Sequence, residues 1–203
     1  MTIHLHHGDL PDGLDLGNVV AIDTETMGLQ PYRDRLCLVQ LSSGDGDAHL
    51  VKFEPGQFNA PNLMALLTDL NTLKLFHFGR FDICILARSF GVTAAPVYCT
   101  KIASKLARTY TDRHGLKDLC KELLDVDLSK QQQSSDWGSP TLSDDQMAYA
   151  ASDVLYLHRL RGELDLRLAR EGRLEIAETC FNFLPNRAVL DLMGWAEIDI
   201  FHH

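Results

Sequence analysis

The stretch Val19–Thr26, VVAIDTET, constrains this chain most, because an apolar, β-branched run ends in two carboxylates spaced two apart. Such a run reads as a strand. Residues two apart on a strand share a face, so Asp23 and Glu25 project together. Two carboxylates on one face with an apolar strand behind them are costly unless a cation is present. Hard divalent ions such as Mg²⁺ and Mn²⁺ prefer oxygen ligands of this kind. The triplet carries little weight alone, because acids at strand ends often only cap loops.

The surrounding sequence places that strand in a mixed sheet. LCLVQLSS (36–43) alternates with period two and HLVKF (49–53) reads as a short strand, so antiparallel pairing of the three is expected. NLMALLTDL (62–70) has helical spacing, LKLFHF (73–78) is an apolar strand stopping at Gly79, and RFDICILARSF (80–90) is helical up to Gly91. Strands followed by alternating helix, strand and helix predict an α/β fold with a mixed sheet flanked by helices. The second half reads as helical at 100–110 and 115–126, with a polar loop at 127–141. A long helix follows, capped by Ser143 with Gln146 three positions on and running to about Arg170. A last helix, LEIAETCFNFL, is expected to be interrupted at Pro185.

At 203 residues the chain suits one well-buried domain, taken here as residues 1–203 with no further helical RNA-binding module. No apolar run approaches the roughly 18 residues of a membrane span. The opening MTIHLHHGDL lacks the basic and apolar regions of a secretory signal, so a cytoplasmic location is expected. Five scattered cysteines with no C-x-x-C spacing argue against a disulfide framework or a thiolate zinc site. The net charge of −9 argues against a protein that coats long nucleic acid. It is compatible with one whose carboxylates hold metal, whose basic residues are clustered and whose substrate is short. His4, His6 and His7 read as surface sequence rather than a metal site.

Three further residues join Asp23 and Glu25. Asp82, in HFGRFD, falls in the first turn of a helix, where an acid is favoured by the helix N-terminus. Tyr149 and Asp153 lie four apart on the late helix and share a face, within MAYAASDVLYL, whose small residues allow close approach to the sheet. In combination, D-x-E on a strand, an acid after a strand–turn, and Y-x-x-x-D on a late helix resemble the tyrosine-bearing branch of the DEDD exonuclease superfamily. DTETMGL, RLCLVQLS, HFGRFD, KIASKLA, GLKDLCKELL, SKQQQSSDW and YAASDVLYLHRL resemble successive blocks of the ribonuclease D catalytic domain, over nearly residues 19–160. TKIASKLARTYTDRHGLK and the ending LDLMGWAEIDIF are similar to the nanoRNase C group of bacterial exoribonucleases.

The resemblance implies a ribonuclease H-like (DnaQ-like) 3′-5′ exonuclease fold. It implies catalysis with two divalent cations, Mg²⁺ or Mn²⁺, held by Asp23, Glu25, Asp82 and Asp153, while Tyr149 positions the attacking water. Each cycle would release a nucleoside 5′-monophosphate. Expected substrate contacts are Thr24, Leu29, His77, Phe78, Arg113, Lys130, Gln132, Ser135 and Trp137. Among these, Leu29 and Phe78 would wedge against or stack on a base, and His77 would donate to the sugar 3′ end. Lys101, Lys105, Arg108, Arg113, His114, Lys117, Lys121 and Lys130 fall in one thirty-residue stretch that a phosphate backbone could follow.

The nanoRNase C likeness implies short single-stranded RNA, especially diribonucleotides, as substrate, and a homo-oligomer, an octamer, as assembly. The sequence adds that FNFLPNRAVLDLMGWAEIDIF is rich in large apolar residues that must pack on their own core or on a neighbour. Two other readings stand beside this one: an exonuclease acting on longer RNA or DNA, and a noncatalytic RNA-binding module. The full set of acids and Tyr149 disfavours the latter. No G-x-S-x-G elbow marks an acyl hydrolase.

Overall fold

Helices flank a six-stranded sheet in the computed structural model, which describes residues 2–129, 131–132 and 134–203. The strands are β1 (Ile3–His7), β2 (Val19–Thr26), β3 (Leu36–Ser42), β4 (Ala48–Lys52), β5 (Leu73–Phe76) and β6 (Val97–Cys99). Their order across the sheet is β1-β4-β3-β2-β5-β6. The expected antiparallel trio is β2, β3 and β4, while β5 and β6 extend the sheet in parallel from β2. The helices are α1 (Pro61–Thr68), α2 (Arg80–Phe90), α3 (Thr100–Ala107), α4 (Leu116–Leu124), α5 (Asp144–Leu155), α6 (Leu157–Arg170) and α7 (Leu174–Leu190). A short π-helical turn, Asp191–Trp195, follows α7. No helix among the described residues is long and apolar enough to cross a membrane.

Burial explains why the central strands are so apolar. Val20, Ala21 and Ile22 of β2 and all seven residues of β3 are buried, because helices cover both faces there. Each fully buried aliphatic side chain contributes about 1.5–3 kcal/mol relative to exposure. The main core holds Val39, Leu41 and Val51 on one side of the sheet together with Leu63, Leu67, Ile83 and Leu86. A smaller layer on the other side joins Cys37, Leu38, Leu50, Trp137 and Ala150 beneath α5. Cys37, Cys84, Cys99 and Cys120 are buried and free, as small apolar residues.

Four features differ from the sequence expectation. The HLHH segment is strand β1, parallel to β4, and not loose surface sequence. There His6 Nε2 lies 3.0 Å from His49 Nδ1, with the His4 ring stacked 4.7 Å from that of His49. The three-residue strand β6 is an addition at the opposite edge. The single long helix is two, broken at Tyr156 (φ −105°, ψ −6°). Finally, α7 runs through Pro185 without interruption. Burial of Ala177, Phe181, Leu184 and Ala188 at helical spacing outweighs the hydrogen bond that proline removes.

Candidate active site

Three elements converge on the Asp23–Glu25 end of β2. A register shift between Glu25 and Thr26 marks a bulge at this end, a device that re-aims side chains beside active sites. Asp82 enters from the first turn of α2. Phe78, just before that helix, has φ +65°, and a Cβ at Gly79 would lie 2.6 Å from that of Phe76, so the strand-to-helix corner is tight. Helix α5 is fixed at its start by the expected capping box of Ser143 and Gln146. Its buried Ala150, Ala151 and Val154 let it lie close to the sheet, bringing Tyr149 and Asp153 to the carboxylates.

Carboxylate oxygens of Asp23, Glu25 and Asp153 lie within 4.8 Å of one another. Asp82 stands beside this triad, 4% exposed, and accepts a 2.6 Å hydrogen bond from the Thr24 hydroxyl. Burial, and then the charge of Asp23, raises both Asp82 and Asp153 well above the usual carboxylate range. Burial lifts Asp23 to about 7. Burial together with Asp23, Asp153 and Asp82 pushes Glu25 up to about 10. No Lys, Arg or His forms an ion pair with any of these four among the described residues. The cluster therefore lacks positive charge, and an all-oxygen donor set of this density fits hard divalent cations. Burial, then Asp153 and Glu25, moves the Tyr149 hydroxyl far above its ordinary range, so it stays a protonated donor.

The acids floor a cleft of about 320 Å³ that also exposes Leu29, His77, Phe78, Lys101 and Lys117. Leu29 is 83% and Phe78 50% exposed, so both present free apolar surface to it. The Lys101 ammonium lies 4.0 Å over the Phe78 ring. Burial drops His77 to about 3, so the imidazole is neutral, and its Nδ1 is 2.9 Å from the Thr100 hydroxyl. Thr100 was not singled out from sequence. Its signal was faint, a threonine opening a helix.

Of the other expected contacts, Thr24 lines the cleft, while Arg113, Gln132, Ser135 and Trp137 do not. Thr24 spends its hydroxyl on Asp82 and so orients that acid. Trp137 is 3% exposed and packs with Leu38 and Ala150, its ring centroid 6.1 Å from that of Tyr149. It backs the tyrosine and does not face the cleft, so it is not placed as the substrate contact expected of the polar loop. Ser135 and Gln132 hydrogen-bond each other, and neither they nor the exposed Arg113 line the cleft. Lys130 lies outside the described residues. The basic stretch is not one patch. Arg108 is wholly buried in an ion pair, Lys121 is tied to Asp125 and Asp127, and Lys101 and Lys117 reach the cleft. Sequence reasoning also passed over Gln40, which is paired in register with Asp23 and fully buried.

Residues 10–169 match a family model described as a 3′-5′ exonuclease. Among curated proteins, ribonuclease D of Gluconacetobacter diazotrophicus is 38% identical over 156 residues, 77% of this chain and 39% of that protein. Ribonuclease D of Acidiphilium cryptum is 36% identical over 166 residues, 82% of this chain and 42% of the relative. The chain thus spans about two-fifths of the length of these relatives. Among solved structures, Brucella melitensis NrnC with bound Mg²⁺ superposes with a TM-score of 0.96 at 60% identity, covering 100% of both chains. The same protein bound to pGG gives a TM-score of 0.97 at 61% identity, covering 100% of this chain and 99% of that one. Escherichia coli RNase D, described as an exoribonuclease involved in structured RNA processing, gives 0.73 at 27%, over 84% of this chain and 45% of its own.

Proposed function

This chain belongs to the 3′-5′ exonuclease family, and on that premise we propose that it shortens RNA oligonucleotides from the 3′ end, diribonucleotides above all, releasing nucleoside 5′-monophosphates. The observation that carries this reading is the group of four acids, Asp82 buried and the other three half-buried, without a cationic partner among the described residues, at the floor of a cleft. The cleft is at the small end of the usual range for ligand sites, which suits the end of a short strand better than a duplex. The full-length likeness to an NrnC bound to pGG points the same way.

Asp23, Glu25 and Asp153, with Asp82 beside them, would hold two divalent cations, Mg²⁺ or Mn²⁺. When bound, these supply an activated water at neutral pH and stabilise charge on the leaving 3′ oxygen. Tyr149, kept protonated, orients the attacking water by donating a hydrogen bond. Phe78 and Leu29 offer apolar surface to a base, and Lys101 and Lys117 offset phosphate charge. Neutral His77, fixed through Nδ1 by Thr100, turns its other nitrogen to the sugar end. Exposed Phe183, Met193, Trp195, Ile198 and Phe201 on the C-terminal segment form a surface that a second copy would cover in a homo-oligomer. RNA turnover of this kind assigns the protein to the cytoplasm.

Cleavage of 5′-labelled RNAs, from a dinucleotide upward in length, with Mn²⁺ and with EDTA as control, tests the proposal. Fast loss of the dinucleotide and slower trimming of longer strands is the expected result. Shortening of long strands that leaves dinucleotide behind would move the role to general RNA decay or maturation. Absence of metal-dependent cleavage at every length would refute the enzymatic reading.

A further inference from the structure

Gln40 is 0% exposed, yet neither its amide nitrogen nor its oxygen has a hydrogen-bond partner among the described residues. Most buried side-chain amides are paired, because an unpaired one forfeits its hydration with nothing in return. A leucine or methionine would fill the same space without that cost, so volume alone does not account for glutamine at this point. Its place in the sheet is specific. Gln40 of β3 is the register partner of Asp23 on β2 and of Leu50 on β4. Directly opposed residues of an antiparallel pair point to the same face with Cβ atoms about 5 Å apart, within reach of a glutamine side chain. That face is covered by α5, the helix that delivers Asp153.

We propose that Gln40 is a positioning residue for Asp23: its amide N–H, without a partner among the described residues, turns to the Asp23 carboxylate when a divalent cation binds and holds that carboxylate oriented for it. This rests on the metal-binding reading above and deepens it. The amide oxygen has a matching candidate as well. The indole N–H of Trp137 is buried and has no hydrogen-bond partner among the described residues, in the layer formed with Leu38 and Leu50, which flank Gln40. A donor from the indole to the amide oxygen, and one from the amide to the carboxylate, would answer both orphan groups. Gln40 touches neither substrate nor reacting atoms in this arrangement and acts only through Asp23.

The test is Mn²⁺ affinity, followed by the electron paramagnetic resonance signal of free Mn²⁺, in the full chain and in Gln40→Met, Gln40→Glu and Asp23→Asn. Gln40→Met keeps the volume and removes the donor. It should melt in EDTA at or above the wild-type temperature, bind Mn²⁺ about tenfold to a hundredfold more weakly, and lose kcat on a dinucleotide with KM little changed. Gln40→Glu keeps the shape, replaces the donor with a fifth carboxyl beside Asp23, Glu25, Asp82 and Asp153, and should lose at least as much affinity. Should Gln40→Met fail to fold, the comparison with Gln40→Glu still decides the matter. Wild-type Mn²⁺ affinity in either folded variant overturns the role of Gln40. A wild-type chain that binds no Mn²⁺, or an Asp23→Asn chain that binds it as well as wild type, would instead overturn the metal site itself.

Discussion

Two charged regions of this molecule are built on opposite principles. Arg108 is 0% exposed, and its guanidinium donates to the Ser104 hydroxyl at 2.9 Å, the Arg113 carbonyl at 2.7 Å and both oxygens of Glu122. Tyr110 completes the arrangement by donating to the same carboxylate. Of the four acids of the Asp23 site only Asp82 is as deeply placed, the other three being half-buried, and their nearest charged neighbours are one another. A buried charge with its donors answered is a fastening, here of the loop between α3 and α4. Like charges gathered without a counter-ion carry a cost that folding alone does not repay, and that is the mark of a working site.

The contrast can be broken most severely at its acidic end. Asp153→Asn should lower cleavage on the order of a thousandfold or more by removing a metal ligand, while melting in EDTA at no lower temperature than wild type, since it relieves repulsion. Near-normal turnover with Mg²⁺ or Mn²⁺ would show that the acid cluster is not the site. At the fastened end, Arg108→Met should cost on the order of 3 kcal/mol in urea unfolding, leaving kcat of the folded fraction unchanged. An unaltered midpoint would mean the pairing contributes nothing. Tyr149→Phe should slow turnover by about a hundredfold without weakening Mn²⁺ binding, and an unchanged rate would remove the hydroxyl from the chemistry.

The smallest effect is one of pH. Asp23 at about 7 and Glu25 at about 10 keep protons in the folded, metal-free protein that an unfolded chain releases near pH 4. Because their folded values are raised, their contribution is fully present below the unfolded values and is lost as pH climbs through about 7 and on to about 10. The melting temperature in EDTA should therefore fall by a few degrees from mildly acid to alkaline buffer. Mg²⁺ or Mn²⁺ should flatten that slope. A slope of the opposite sign would mean the acids are not held protonated.

The four clustered acids were legible in the sequence because each sits at a punctuated place: a strand end, the first turn of a helix, one face of a capped helix. Their likeness to a known order of motifs supplied the rest. Residues defined only by tertiary surroundings were not legible. Gln40 occupies the polar slot of an alternating strand, which reads as solvent-facing, yet β3 is covered on both faces. Arg108 reads as a cation free for phosphate until Glu122, fourteen residues on, folds back on it. Strand β6 is three residues long, and β1 is a polar run whose partner lies 45 residues away. Neither leaves a local pattern. The break at Tyr156 is invisible for the converse reason: Leu157, Leu160 and Leu164 continue a helical spacing straight through it.

The placement of β1 has a consequence in time. A parallel partner cannot be joined by a tight turn, so the first strand to be made must wait until the chain out to Lys52 exists before it can pair. The same edge is the natural place for the native sheet to open first, since on its outer side β1 has no neighbouring strand among those described. Ile3 packs on the Leu38–Leu50 layer that also supports Tyr149 and Met147. Breathing of the amino-terminal strand therefore reaches, through that layer, the wall on which the cleft tyrosine rests.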